Sequence, residues 1–156
     1  AEDPPPPMRA ATAADREPGV ATGTISFPTV LAGGTREWDG TRVNGGSAYE
    51  EHTIESSDPR LTGTLLSVSD YLSYEKLGIY LAAGESVLDT SDGRWLGDFT
   101  FIGGSDDLQG TASLILQGEG PYEGLVAYLV GDFAAAPISF TAAIVEGDLP
   151  APPEAE

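Results

Sequence analysis

Between Val20 and Gly147 no window repeats apolar residues at helical spacing for the length of a helix. They come instead in runs of five to nine, broken by Gly, Asp, Ser and Pro. A helix needs an apolar stripe every three to four residues, whereas a strand needs only alternation, so the pattern confines the fold to strands. The spacing predicts strands over 21–27, 36–43, 48–56, 60–69, 76–82, 85–89, 94–102, 109–117, 124–132 and 137–146. Turns are expected at Asn44-Gly45-Gly46, Ala83-Gly84, Ser91-Asp92-Gly93 and Gly103-Gly104-Ser105-Asp106-Asp107, where Gly, Asn and Asp tolerate the required backbone. Short strands on short links predict an all-β antiparallel meander. Closing it at about eight strands into an up-and-down barrel removes the exposed edges and leaves an interior that side chains fill or share with one small ligand. A β-sandwich is the alternative.

The 156 residues suit one domain, large enough to bury roughly two thirds of the unfolded chain's surface. No staple is required, and none is offered, because there is no cysteine. Residues 1–19, with five prolines, read as a disordered leader, 20–147 as the β-barrel domain, and 148–156 as a second proline-rich disordered tail. The sequence opens Ala1-Glu2-Asp3 ahead of Pro4 to Pro7, as a chain does after signal-peptide removal, and the expectation is an exported protein.

The formal charge is −18, of which the leader carries −2 and the tail −3, leaving −13 on the body. A body this acidic repels phosphate backbones, which argues against nucleic acid as a partner. No run approaches the roughly 18 apolar residues that cross a bilayer, which argues against membrane insertion.

Alternation assigns faces. His52 and Ile54 oppose Glu51, Thr53 and Glu55, and Trp95, Gly97, Phe99 and Phe101 share a face opposite Arg94, Asp98 and Thr100. The aromatic set is the expected interior. Both faces are apolar in 124–132, with Leu125, Ala127 and Leu129 against Val126, Tyr128 and Val130, and 137–146 behaves alike. Such strands need an outer cover, either the chain's own loops or a second subunit, so a homo-oligomer is one expectation.

Three motifs occur in order: Asp58-Pro59-Arg60-Leu61-Thr62-Gly63-Thr64, Gly93-Arg94-Trp95-Leu96-Gly97, and Gly118-Glu119-Gly120-Pro121-Tyr122-Glu123-Gly124-Leu125. Over residues 56–130 the chain resembles small exported bacterial β-barrel proteins with an SDPRLSGT, GxWxG, GxGxYEGL signature, which are distantly like the allene oxide cyclase and dirigent barrels. The resemblance implies an eight-stranded antiparallel barrel with a hydrophobic cavity, and dimers or trimers. It carries over no catalytic residue, since no constellation here maps onto theirs.

Candidate sites are few, because the chain has one histidine and one lysine, Lys76. His52 is the residue best suited to proton transfer or metal ligation, with Glu50 beside it on the same face. Asp58-Pro59-Arg60 could present a guanidinium to a substrate acid, although a turn explains the same residues. Gly118 to Gly124 cannot be a phosphate cradle, because no helix follows and Pro121 lacks an N–H; it reads as a turn whose Tyr122 plugs one end. Asp89-Thr90-Ser91-Asp92-Gly93 and Ser105-Asp106-Asp107 gather oxygens without the spacing of a calcium loop. No cofactor or metal is expected.

The leading expectation is a non-catalytic barrel that binds a small apolar molecule among Trp95, Phe99, Phe101, Tyr80 and Tyr128, with His52 and Arg60 as polar members of the site. A cyclase or isomerase using Glu50, His52, Asp58 or Glu123 is one rival. A surface protein that needs no pocket is another.

Overall fold

The computed structural model describes residues 10–105, 109–132 and 137–147. Ten strands form one sheet: β1 (Gly19–Ile25), β2 (Thr29–Ala32), β3 (Thr35–Trp38), β4 (Val43–Ser56), β5 (Gly63–Tyr74), β6 (Ile79–Thr90), β7 (Arg94–Gly104), β8 (Gly110–Glu119), β9 (Leu125–Asp132) and β10 (Ile138–Glu146). From β4 to β10 each strand pairs antiparallel with the next. β1 then pairs with β10 over seven residues, and with β4 through Gly23, Thr24 and Ile25 opposite Ser56, Glu55 and Ile54. Eight antiparallel strands thus close into a ring, as the strand spacing predicts. β2 and β3 continue along the remaining edge of β4, with every residue exposed.

Several boundaries differ from the expectation. The segments 76–82 and 85–89 are one strand, β6, and Ala83-Gly84 is not a turn. Gly84 sits mid-sheet, where a Cβ would strike the Val68 carbonyl, so its lack of a side chain serves packing. The actual β5–β6 turn is Glu75-Lys76-Leu77-Gly78, with Gly78 at φ +68°. Nor is Asn44-Gly45-Gly46 a hairpin. It lies in β4 beside a bulge between Gly45 and Ala48 that puts Ser47 at φ +55°, its N–H donating to Asp70 Oδ1 at 3.0 Å. The hairpin falls earlier, where the Asp39 carboxylate accepts from the N–H groups of Thr41 and Arg42. Residues 60–62 do not open a strand, because Pro59–Leu61 is a 3₁₀ turn.

The folded body starts before residue 20. Ala14–Arg16 is a 3₁₀ turn with Asp15 buried, and the segment packs on one end of the ring. The remaining leader and tail expectations, and Asp106 and Asp107, lie outside the described residues.

Directly paired residues share a face, so the registers lay the interior out in rows. At one end His52, Leu65, Leu88, Trp95 and Gly118 form a row. Next come Glu50, Ser67, Ser86, Gly97, Leu116 and Ala127, then Ala48, Ser69, Gly84, Phe99, Leu114 and Leu129, then Gly45, Tyr71, Ala82, Phe101, Ala112 and Gly131. The first row belongs to a core completed by Ile54, Leu61, Tyr122 and Leu125, all at most 1% exposed.

Candidate functional site

The three sequence motifs meet at one end of the ring and seal it. Trp95 is wholly buried, stacks on Tyr122 with centroids 5.1 Å apart, and donates Nε1–H to the Arg60 carbonyl at 2.8 Å. Tyr122 closes over Gly93 and Gly118, where side chains would collide with it. Its hydroxyl lies 3.2 Å from Thr90 Oγ1. It is the plug expected of it.

Asp58 caps the turn by accepting the Arg60 N–H, and holds the guanidinium through Nε and Nη2 at 3.0 and 2.6 Å. Arg60 Nη1 then donates to the carbonyls of Asp15 and Glu17. The side-chain bond from Arg60 lowers the Asp58 carboxyl below its usual range, against an opposing effect of burial. Arg60 is therefore a clamp on the N-terminal segment, and not a residue of the accessible interior; every hydrogen-bonding arm faces protein. Asp58 belongs to the same clamp, and Glu123 is exposed at the sealed end with its carbonyl taken by Arg16.

Beyond this end the interior loosens. Along β5 and β6 the inward positions are small: Ser67, Ser69, Ala82, Gly84 and Ser86. Facing them, Phe99 points inward between Gly84 and Leu114 yet stays partly exposed, as do Tyr71 and Tyr80. Surface left on inward side chains marks space that the packing does not fill, and it lies toward the end away from Trp95.

The unfilled part has two kinds of wall. β7 contributes the partly exposed Phe99, backed by the buried Phe101, Leu114, Leu129 and Phe140. β4 to β6 contribute Glu50, His52, a buried Ser67–Ser86 hydroxyl pair at 2.9 Å, and Ser69. Tyr71 stacks on Tyr80 at 5.5 Å, and Tyr80 meets Phe101 edge-on at 5.9 Å. Burial first, then the Glu50 charge and Tyr71, push the Tyr80 hydroxyl up to about 12, so it stays neutral.

His52 Nδ1 lies 2.9 Å from the Ser26 carbonyl, which can only accept, so that nitrogen carries a proton. The other ring nitrogen faces Glu50 Oε2 at 3.6 Å. Glu50 is 32% exposed and accepts no hydrogen bond from the described residues.

Of the expected site residues, Tyr80, Phe99 and Phe101 face this part of the interior, while His52 lies in the Trp95 row and borders it beside Glu50. Trp95 points inward but is sealed in packing. Tyr128 does not line the interior: it pairs with Ile115 and Ala143 on the outside and is 37% exposed, because Ala127, Leu129 and Gly131 take the inward positions of β9. Tyr71, Ser67, Ser69 and Ser86 were not expected. Their signal is small residues at alternate positions on two adjacent strands, hidden once Ala83-Gly84 is read as a turn.

Outside, behind the wall of Tyr71, Ala82 and Phe101, an open trough of about 840 Å³ runs past Leu72, Leu81 and Ile102. Among the described residues no group of three or more His, Cys, Asp or Glu is placed to hold a metal, and no helix is long and apolar enough to cross a membrane. No protein-family model, curated protein or solved structure matches the chain. The three motifs build the sealed end.

Proposed function

We propose that the chain is a non-catalytic binding protein, a cup sealed at the Trp95 end, that takes one small amphipathic molecule through the other. The observation that carries this reading is Phe99, a large apolar side chain aimed inward and still reached by solvent. Leaving it so forgoes roughly 25 cal/mol per Å² of apolar area not removed from water, which a ligand would recover. Of the four alternative proton carriers of the isomerase reading, Asp58 and Glu123 lie at the sealed end, which leaves that reading Glu50 and His52 alone.

The neutral fluorophore N-phenyl-1-naphthylamine should bind saturably, one per chain. Ser69→Leu and Ala82→Phe, which fill the hollow from two strands, should each weaken it at least about tenfold, the scale of one or two buried methylenes. Far-UV circular dichroism should stay unchanged. Absence of binding, or binding indifferent to both fillings in folded variants, overturns the reading.

The outer face of β8 to β10 supports self-association. Ile115, Tyr128, Val130 and Val145 are exposed there, among Thr111, Ser113, Gln117, Ser139, Thr141 and Ala143. Among the described residues its charged members are Asp132 and Glu119 alone, both at strand ends, in a chain of −18. Charge depletion of this kind marks interface centres, and a second copy can meet it without bringing carboxylates together. Sedimentation velocity should show a dimer or larger species, converted to monomer by Tyr128→Asp. A wild-type monomer at about 100 μM, weaker than the micromolar range of specific association, removes this reading.

A further inference from the structure

Resting on the binding reading above, we infer that the cup selects a cationic amphiphile, an apolar body bearing an ammonium head, and that Glu50 receives the head. The argument begins with sign. Among the described inward positions of the ring the charged residues are Glu50 and Glu146, the latter exposed at the sealed end opposite Leu125, and no Lys or Arg joins them. An anionic head would meet an uncompensated carboxylate in a protein of −18, with no donor of opposite charge to hold it. A cation meets the reverse.

The second step is hydrogen bonding. The Glu50 carboxylate is about two-thirds withdrawn from solvent and accepts nothing from the described residues; its nearest neighbour of complementary type is His52 Nε2 at 3.6 Å. His52 itself is fixed by the Ser26 carbonyl and cannot turn its Nδ1–H toward Glu50. An ammonium group has N–H donors for an acceptor left open in this way.

The third step is the aromatic surround. The Glu50 charge is felt at Tyr80, whose ring stacks on Tyr71 and meets Phe101. Aromatic faces close to a carboxylate attract alkylammonium heads and do nothing for a carboxylate. The opposite wall offers the partly exposed Phe99 to the body, backed by the buried Leu114 and Leu129. Arg36 pairs with Gly45 and so shares the face of Tyr71, but it lies on the exposed β3, outside the ring of eight strands.

The test displaces N-phenyl-1-naphthylamine with decylamine, decanol and decanoate at pH 8 and low ionic strength, three heads on chains of similar length. Decylamine should displace at about tenfold lower concentration than decanol, with decanoate weakest, a ratio worth about 1.4 kcal/mol. Glu50→Gln should bring all three within about threefold while the neutral fluorophore still binds. Decanoate matching decylamine on the wild type, or a preference for amine that survives Glu50→Gln, overturns the inference and leaves the binding reading standing. A fluorophore that does not bind at all overturns both.

Discussion

Trp95→Ala is expected to lower the unfolding free energy by about 4 kcal/mol, the largest effect of any single substitution proposed for this chain. Three contributions converge on this side chain. It is wholly buried, so its removal leaves a cavity beside Leu88 and Tyr122. Its stacking on Tyr122, the plug, is lost. The Arg60 carbonyl loses its indole donor in a place that water does not readily reach, and an orphaned buried acceptor costs about 1–3 kcal/mol. Against a total stability of about 5–15 kcal/mol the variant falls near the bottom of the range. Its melting temperature should drop by roughly 10–15 °C in a chain of this size. Trp95→Phe keeps an aromatic on Tyr122 but removes the donor and part of the ring volume; about 2 kcal/mol is expected. Because Phe99 stands two rows away, Trp95→Phe should leave fluorophore affinity within about twofold. Urea denaturation followed by circular dichroism measures both variants. A loss of no more than about 1 kcal/mol for Trp95→Ala, the size of an average substitution, contradicts the role of this stack as the seal.

How much of this was legible depends on what kind of signal each residue carries. Alternation over 94–102 correctly puts Trp95, Phe99 and Phe101 on one inward face, because β7 is regular and its outward partners Arg94, Asp98 and Thr100 are polar. The same rule has no purchase on β9, where both faces are apolar. There Tyr128 is expected in the lining with the other aromatics, and the register places it outward. Glycine misled in two places for one reason. Gly84 and the Asn44-Gly45-Gly46 run have turn chemistry, but close strand packing and a β-bulge ask for the same residues. Splitting β6 at Gly84 broke the alternation of Ala82, Gly84 and Ser86, and the hollow could not be seen without it.

The site was less legible than the fold, because its defining property is an absence of volume. Ser67, Ser69 and Ser86 carry no motif, and each alone reads as a solvent-facing strand residue. Only the cross-strand register shows that Ser67 and Ser86 face each other across a buried hydrogen bond. The conspicuous motifs drew attention to the opposite end. The spacing of Asp58-Pro59-Arg60, Gly93-Arg94-Trp95 and Gly118 to Leu125 records how the seal is assembled from the 3₁₀ turn and two hairpin ends.

Arg60→Ala tests the other half of that seal and should cost about 3 kcal/mol, at the lower end for breaking a buried ion pair, because the two side chains retain 12% and 16% exposure. The loss has two parts. Asp58 keeps its cap on the turn but is left with a poorly solvated charge, and the carbonyls of Asp15 and Glu17 lose their shared donor, freeing the N-terminal segment. Arg60→Lys should recover less than half of the loss, since one ammonium cannot hold both Asp58 oxygens and reach two carbonyls as the planar guanidinium does. The pH dependence separates the ion pair from the strap. The Asp58 carboxyl is lowered in the folded state, chiefly by the Arg60 side chain, so its contribution is fully present above the ordinary carboxylate range and is lost as pH falls through that range toward the folded value. The stability gap between wild type and Arg60→Ala should therefore be widest above about pH 5 and narrow as Asp58 protonates below about pH 4. Asp39 is also lowered, to about 2, by the backbone N–H groups of Arg42 and Thr41, but it is present in both proteins and cancels from the gap. The part of the gap that survives at low pH is the strap. Hydrogen exchange should locate it, with faster exchange confined to residues 12–17 and the turn at 58–61. A gap that stays constant from pH 7 to about pH 3 contradicts the ion-pair share, since one Asp paired as this one is must release its contribution over that interval.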